Sequence, residues 1–244
     1  AHYYWGATYR EKGYTSFAVE EYLAAIRLMP VRDEFLAMIY DNLAECYEED
    51  RLYNVAIENY RAAYQILKGG NGQTFPMRGI ARVFLLQNEK DSALFYYQRA
   101  LDSALADQDS SLVGALYHDL AMVYNEKKDY TQADKYISKA IMLLGPDAIN
   151  TCLSKAQIML NLNKLDSANY FFSNNMDESD IYGKAVCYDG MYQIAKKKGE
   201  WKTAVENMEA YKILYDSMQI MTDNEELNRL MDKHQLEEHK RLLS

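Results

Sequence analysis

Residues 40–63 read YDNLAECYEEDRLYNVAIENYRAA. Leu43, Ala44 and Tyr47 mark one face of a first helix, and Ala56, Tyr60 and Ala63 mark one face of a second. Apolar residues spaced by three and four are the signature of an amphipathic helix. The short polar turn at Glu49 and Asp50 separates the two. Small residues at 44 and 56 let the helix backbones approach, and the tyrosines fill the groove beside them.

The arrangement recurs. An alanine opens the second helix of each pair at Ala18, Ala56, Ala93, Ala133, Ala168 and Ala204, with gaps between 35 and 40 residues. Around these alanines stand Trp5, Gly6, Tyr9, Tyr22, Ala25 and Pro30 in the first repeat, and Ile80, Ala81, Phe84, Tyr97 and Ala100 in the third. The fourth carries Tyr117, Leu120, Ala121, Tyr124, Ile137 and Ala140. The fifth keeps Ala156, Met159 and Phe172 but has Lys155 and Asn175 where apolar and small residues are usual. The sixth keeps Tyr188, Met191 and Met208, with Tyr192 and Tyr211 at small-residue positions. These offsets resemble the tetratricopeptide repeat, whose period is about 34 residues. The resemblance covers the chain to about residue 217. It implies an all-α, right-handed α–α superhelix of about six helix-turn-helix repeats. In such an array each pair stacks on its neighbours, and the first helices line a concave groove.

Helices are expected over 1–12 and 15–28, 33–49 and 52–67, 75–88 and 91–105, 111–127 and 130–144, 148–162 and 165–174, and 180–198 and 201–217. Residues 1–217 form the solenoid domain on this reading, and residues 218–244 a charged C-terminal helix. Trp201 to Ser244 contains no glycine or proline, and Ile213, Ile220, Leu227 and Met231 carry an apolar stripe through Thr222. That phase favours one continuous helix over a new start capped by Thr222. Leu230, Met231, Leu236, Leu242 and Leu243 would then need cover, from a second copy (a homodimer through this helix) or from a further segment. The fifth repeat, with its polar substitutions, is expected to open most easily, over residues 165–178.

The 22 tyrosines sit mostly at repeat offsets and read as packing. The net charge of −9 argues against a nucleic-acid groove, which should be basic. No apolar run reaches the 18 or so residues of a membrane span. Cys46, Cys152 and Cys187 are scattered, odd in number, and read as small buried hydrophobes rather than a disulfide or zinc set. The chain opens at Ala1 inside a helix, as a processed or trimmed segment would.

No nucleophile elbow, phosphate loop or dinucleotide fingerprint is present. Gly69, Gly70, Asn71 and Gly72 form a linker. His234 and His239 lie about 140° apart on a helix, which does not make a metal pair. Glu20 with Glu21 and Glu48 with Glu49 read as solvated faces. The chain is therefore read as no enzyme, with no cofactor and no metal. Residues facing the groove of the first helices are Tyr3, Asp41, Asn42, Glu45, Arg78, Arg82, His118, Met122, Gln157 and Gln193, alongside Ala7, Leu153 and Asp189. The acidic second repeat beside a basic third points to a mixed-charge protein or peptide partner. The resemblance also allows a test for the family's carboxylate clamp. Its offsets carry Tyr3, Ala7, Asn42, Phe75 and Gly79, of which Asn42 alone fits. The expected role is a protein- or peptide-binding scaffold. The alternative is an extracytoplasmic sensory domain of a bacterial transmembrane regulator, whose repeat domains this C-terminal ending also resembles. The compartment is periplasmic on that alternative and cytoplasmic otherwise.

Overall fold

A computed structural model describes residues 1–29, 31–68, 70 and 72–243 of the chain, and the side chains of 236 and 239–243 lie outside that description. Pro30, Gly69, Asn71, Leu236, His239, Leu242 and Leu243, singled out from the sequence, therefore lie outside the described residues in whole or in side chain.

The described residues form twelve helices and no strand. They run α1 (His2–Glu11), α2 (Thr15–Leu28), α3 (Glu34–Glu49), α4 (Tyr53–Leu67), α5 (Thr74–Leu86) and α6 (Lys90–Ala106). Then follow α7 (Ser110–Glu126), α8 (Tyr130–Leu144), α9 (Ile149–Asn161), α10 (Leu165–Asn175), α11 (Ile181–Lys198) and α12 (Trp201–Leu243). Two compact units result: Ala1–Asp109 with Leu227–Ser244, and Ser110–Glu226.

One turn geometry joins the helices of every pair. Gly13, Arg51 and Asn88 in the first unit, and Lys128, Asn163 and Gly199 in the second, all take the left-handed conformation, with φ between 60° and 75°. Each lies five residues before the alanine that opens the second helix. The next residue's N–H reaches back across the turn, as in Tyr14 to Tyr9 (2.8 Å), Leu52 to Tyr47 (2.8 Å) and Asp129 to Tyr124 (3.0 Å). This closure satisfies carbonyls that a helix end leaves orphaned. Four of the six positions are not glycine, so each of those accepts the strain an L-residue meets there.

The repeat alanines are enclosed: Ala18, Ala56, Ala93, Ala133 and Ala168 are fully buried and Ala204 nearly so. Four residues on, Tyr22, Tyr60, Tyr97, Ile137 and Phe172 fill the core. The sixth repeat departs here, because Met208 is 54% exposed. Trp5, placed at a packing offset from the sequence, is likewise 58% exposed, and Gly6 is the buried residue beside it. Gly6 receives the ring of Tyr22, and a β-carbon on Gly6 would stand 2.7 Å from Cε1. Across a repeat border, Gly79 receives the ring of Tyr60, and in the second unit Gly190 receives that of Phe172.

The polar residues of the fifth repeat are paired. Lys155 reaches Asp134 and donates to Ser138 Oγ at 2.7 Å. Asn175 Nδ2 donates to the Phe171 carbonyl at 2.8 Å. Within α12, Thr222 Oγ1 donates to the Met218 carbonyl at 3.0 Å, one turn back, so it caps no new helix. From Leu227 onward α12 belongs to the first unit, where Tyr14 Oη donates to Asp232 Oδ2 at 3.0 Å.

Candidate functional site

In the first unit, α3 presents Asp41, Glu45 and Glu48 one turn apart on one face. The neighbouring first helices bring cations to it. Arg82 of α5 grips Glu48 with two bonds, Nε to Oε1 at 2.6 Å and Nη2 to Oε2 at 2.9 Å. Its Nη2 also donates to Tyr60 Oη at 2.9 Å, and Tyr60 Oη donates to Glu48 Oε2 at 2.9 Å. Arg10 of α1 pairs with Glu45. Burial works against the Arg82 charge, but the Glu48 hydrogen bond, Tyr60 and the nearby carboxylates outweigh it and hold its pKa above the ordinary value.

Two hollows open beside this network. One, of about 390 Å³, is lined by Arg10, Glu11, Glu45, Glu48, Glu49 and Arg82. With four carboxylates against two guanidiniums, its lining is net acidic. The other, of about 400 Å³, is lined by Glu34, Ala37, Met38, Asp41, Ala63, Leu67, Gly72, Phe75 and Pro76. It is apolar apart from its two acids. Oδ1 of Asp41 is enclosed and has no hydrogen-bond partner among the described residues. Burial first, then Glu45 and Glu48 against the opposing Arg82 and Arg10, pushes the Asp41 carboxyl up to about 7.

The structure thus brings Asp41, Glu45 and Arg82 together and adds Arg10, Glu48 and Tyr60, which the sequence reading had not placed at the site. Glu48 is no solvated carboxylate: its side chain is 12% exposed and ionically held. The opposite charges of repeats two and three neutralise each other before any partner arrives. Tyr3 packs edge-on against Phe35 and its hydroxyl reaches the Met38 sulfur. Asn42 Nδ2 donates to the Met38 carbonyl, and Arg78 is half-buried on α5.

In the second unit, His118 Nε2 and Ser154 Oγ stand 3.0 Å apart. Gln157 Nε2 donates to Asn161 at 3.5 Å and Gln193 Nε2 to Asp189 at 2.7 Å, each one turn along its own helix, while Met122 is half-buried. Asn161 in turn donates to Asn125 Oδ1 at 2.9 Å. These form a hydrogen-bonded strip on α7, α9 and α11 rather than a converging constellation.

The three cysteines are free and buried. Burial pushes Cys46 up to about 12 and Cys187 up to about 11, which keeps both as thiols near neutrality. Among the described residues, no group of three or more His, Cys, Asp or Glu side chains is placed to hold a metal ion, and no helix is long and apolar enough to cross a membrane.

The tetratricopeptide repeat family pattern matches residues 35–106 and, separately, 114–143, the span of repeats two to four. No curated protein matches the chain by sequence. Similar solved structures include BtubC (BKLC) from P. vanneervenii, at TM-score 0.70 and 16% identity, over 86% of this chain and 91% of that one. Aspartyl phosphate phosphatase F from Bacillus subtilis aligns at TM-score 0.72 and 18% identity, over 91% of this chain and 61% of that one. A Rap protein complexed with competence and sporulation factor aligns at TM-score 0.65 and 14% identity, over 89% of this chain and 74% of that one. At such identities the likeness shows the fold, an α–α superhelix, and nothing finer.

Proposed function

We propose that this chain, a tetratricopeptide-repeat protein, is a non-catalytic scaffold that binds a protein or peptide partner through the first helices of its repeats. The observation that carries the reading is the face of α3 in the first unit. Its Glu45 and Glu48 carboxylates are already fixed by Arg10, Arg82 and Tyr60, and the face flanks a charged hollow and an apolar one. A surface ordered before binding loses little side-chain entropy on association. The Rap structure, bound to its factor, shows that the same fold can hold a ligand. In the second unit, His118, Met122, Gln157 and Gln193 offer a milder, hydrogen-bonding surface.

The test is retention of native partners from cell extract by immobilised chain, identified by mass spectrometry. Asn42→Arg adds bulk and charge to the α3 face and removes no member of the ion pairs. It should abolish retention with an unchanged melting temperature. Full retention by that variant would move binding elsewhere on the molecule. Gln157→Arg asks the same question of the second unit.

The second reading, an extracytoplasmic sensory domain of a bacterial transmembrane regulator, draws on α12. Residues 219–230 of that helix are exposed all round, and the helix runs unbroken through them. A continuous helix of that kind can pass a displacement along its length. A membrane span encoded soon after residue 244 would support this reading, and a stop codon there would remove it.

A further inference from the structure

We propose that the apolar hollow between α3, α4 and the start of α5 is a pocket for one lysine side chain of the partner, the stem lying on the apolar walls and the ammonium meeting Asp41. The inference rests on the binding role proposed above and gives that site its specificity. The walls are Ala37, Met38, Ala63, Leu67, Phe75 and Pro76. An aliphatic stem would be buried well against them. A purely apolar occupant would fill the hollow but cover the Asp41 carboxyl in its lining without giving it a partner, which is costly. An anion would meet two carboxylates, because Glu34 lines the same hollow two turns before Asp41 on the α3 face. An aliphatic chain ending in a cation satisfies both features. Exposed Glu34 and the chain's net charge of −9 favour approach of a basic segment. Arg82 and Arg10 do not already fill the role, since they are committed to Glu48, Tyr60 and Glu45.

The charged groups that act on Asp41 are Glu45 and Glu48 of its own helix, Arg10 of α1 and Arg82 of α5. The α4 and α5 residues that line the hollow carry no charge. A carboxyl that titrates near neutrality binds an ammonium better once ionised, so affinity should rise with pH.

The experiment is an NMR titration of the intact chain, with methyl labels on alanine and methionine, using Nα-acetyl-lysine methylamide as probe and its norleucine counterpart as control. The lysine probe should shift Ala37, Met38 and Ala63 saturably, about tenfold more tightly than norleucine and more tightly at pH 8 than at pH 5.5. Asp41→Asn should make the two probes equal. Equal affinity of both probes for the wild-type chain, shifts centred elsewhere, or no saturable shift at all would each overturn the proposal. None of these outcomes touches the wider binding role, which stands or falls on partner retention by the Asn42→Arg variant.

Discussion

The ring of Tyr60, on the second helix of repeat two, lies where a β-carbon of residue 79, on the first helix of repeat three, would have to stand. Phe172 and Gly190 repeat the relationship between repeats five and six. The aromatic and its glycine sit at the same two repeat positions in both cases. The missing side chain is therefore a fitted contact and not a flexible joint.

Gly79→Ala should lower stability by about 1–3 kcal/mol through overpacking against that ring. Gly199→Ala offers a contrast, because nothing lies within 4 Å of a β-carbon there and only the left-handed φ of 75° is strained. Its cost should be about 1–2 kcal/mol. Urea midpoints of the two variants, with and without Tyr60→Leu, separate the causes. Tyr60→Leu should relieve the first and leave the second unaltered.

Arg82→Met should destabilise by about 1–3 kcal/mol, because it leaves Glu48 largely enclosed without its guanidinium. Reversing charge at Arg82 should cost more still, so loss of a partner in such a variant needs a parallel measurement of folding. An unchanged melting temperature for Arg82→Met would show that the fork contributes nothing net.

The pH dependence has a defined sign. Asp41 titrates near 7 in the folded chain, against about 3.9 unfolded. The native state holds its proton more tightly. The stability this group contributes is complete below about pH 4 and is lost as pH rises to about 7, by on the order of 4 kcal/mol at most. Asp41→Asn should flatten that slope and raise the urea midpoint at pH 8. A variant with the same slope as wild type would assign the dependence to other groups.

Hydrogen exchange should be fastest, among the inner repeats, over residues 165–178. There α10 is only 11 residues long and ends at Asn175. The Lys155 contacts with Asp134 and Ser138 hold the neighbouring α9, not α10. Slower exchange there than in repeats three or four would count against this assignment.

Light scattering should give a mass near twice 28.3 kDa, through the exposed stripe of Ile213, Ile220, Leu227 and Met231, which are 67%, 62%, 56% and 54% exposed. Ile220→Lys with Leu227→Lys should return the monomer. A monomeric wild type would remove the self-pairing.

The repeat alanines, the large apolar residue four positions later and the six helix pairs were legible from spacing, since small and large residues must alternate where helices cross. The site was legible only in part. Arg82 with Glu48, Arg10 with Glu45, His118 with Ser154 and Asn161 with Asn125 are 34 to 36 residues apart. That is one repeat, the separation that sets neighbouring first helices face to face. A search for complementary polar residues one period apart would have found them; reading each repeat's charge by itself could not. The left-handed residues at Arg51 and Lys128 escaped for another reason. Their conformation is set by the turn's hydrogen bonds, and nothing in an arginine or a lysine announces it.

Because Tyr60 and Gly79 lie on different repeats, as do Phe172 and Gly190, the interchangeable module at these two borders is not the helix pair. Deleting, duplicating or transplanting a single pair would separate a ring from its socket and leave either a void or a collision. A graft that cuts after the first helix of one repeat and after the first helix of the next carries ring and socket together. Chimaeras spliced there should assemble where those cut at the helix-pair borders do not.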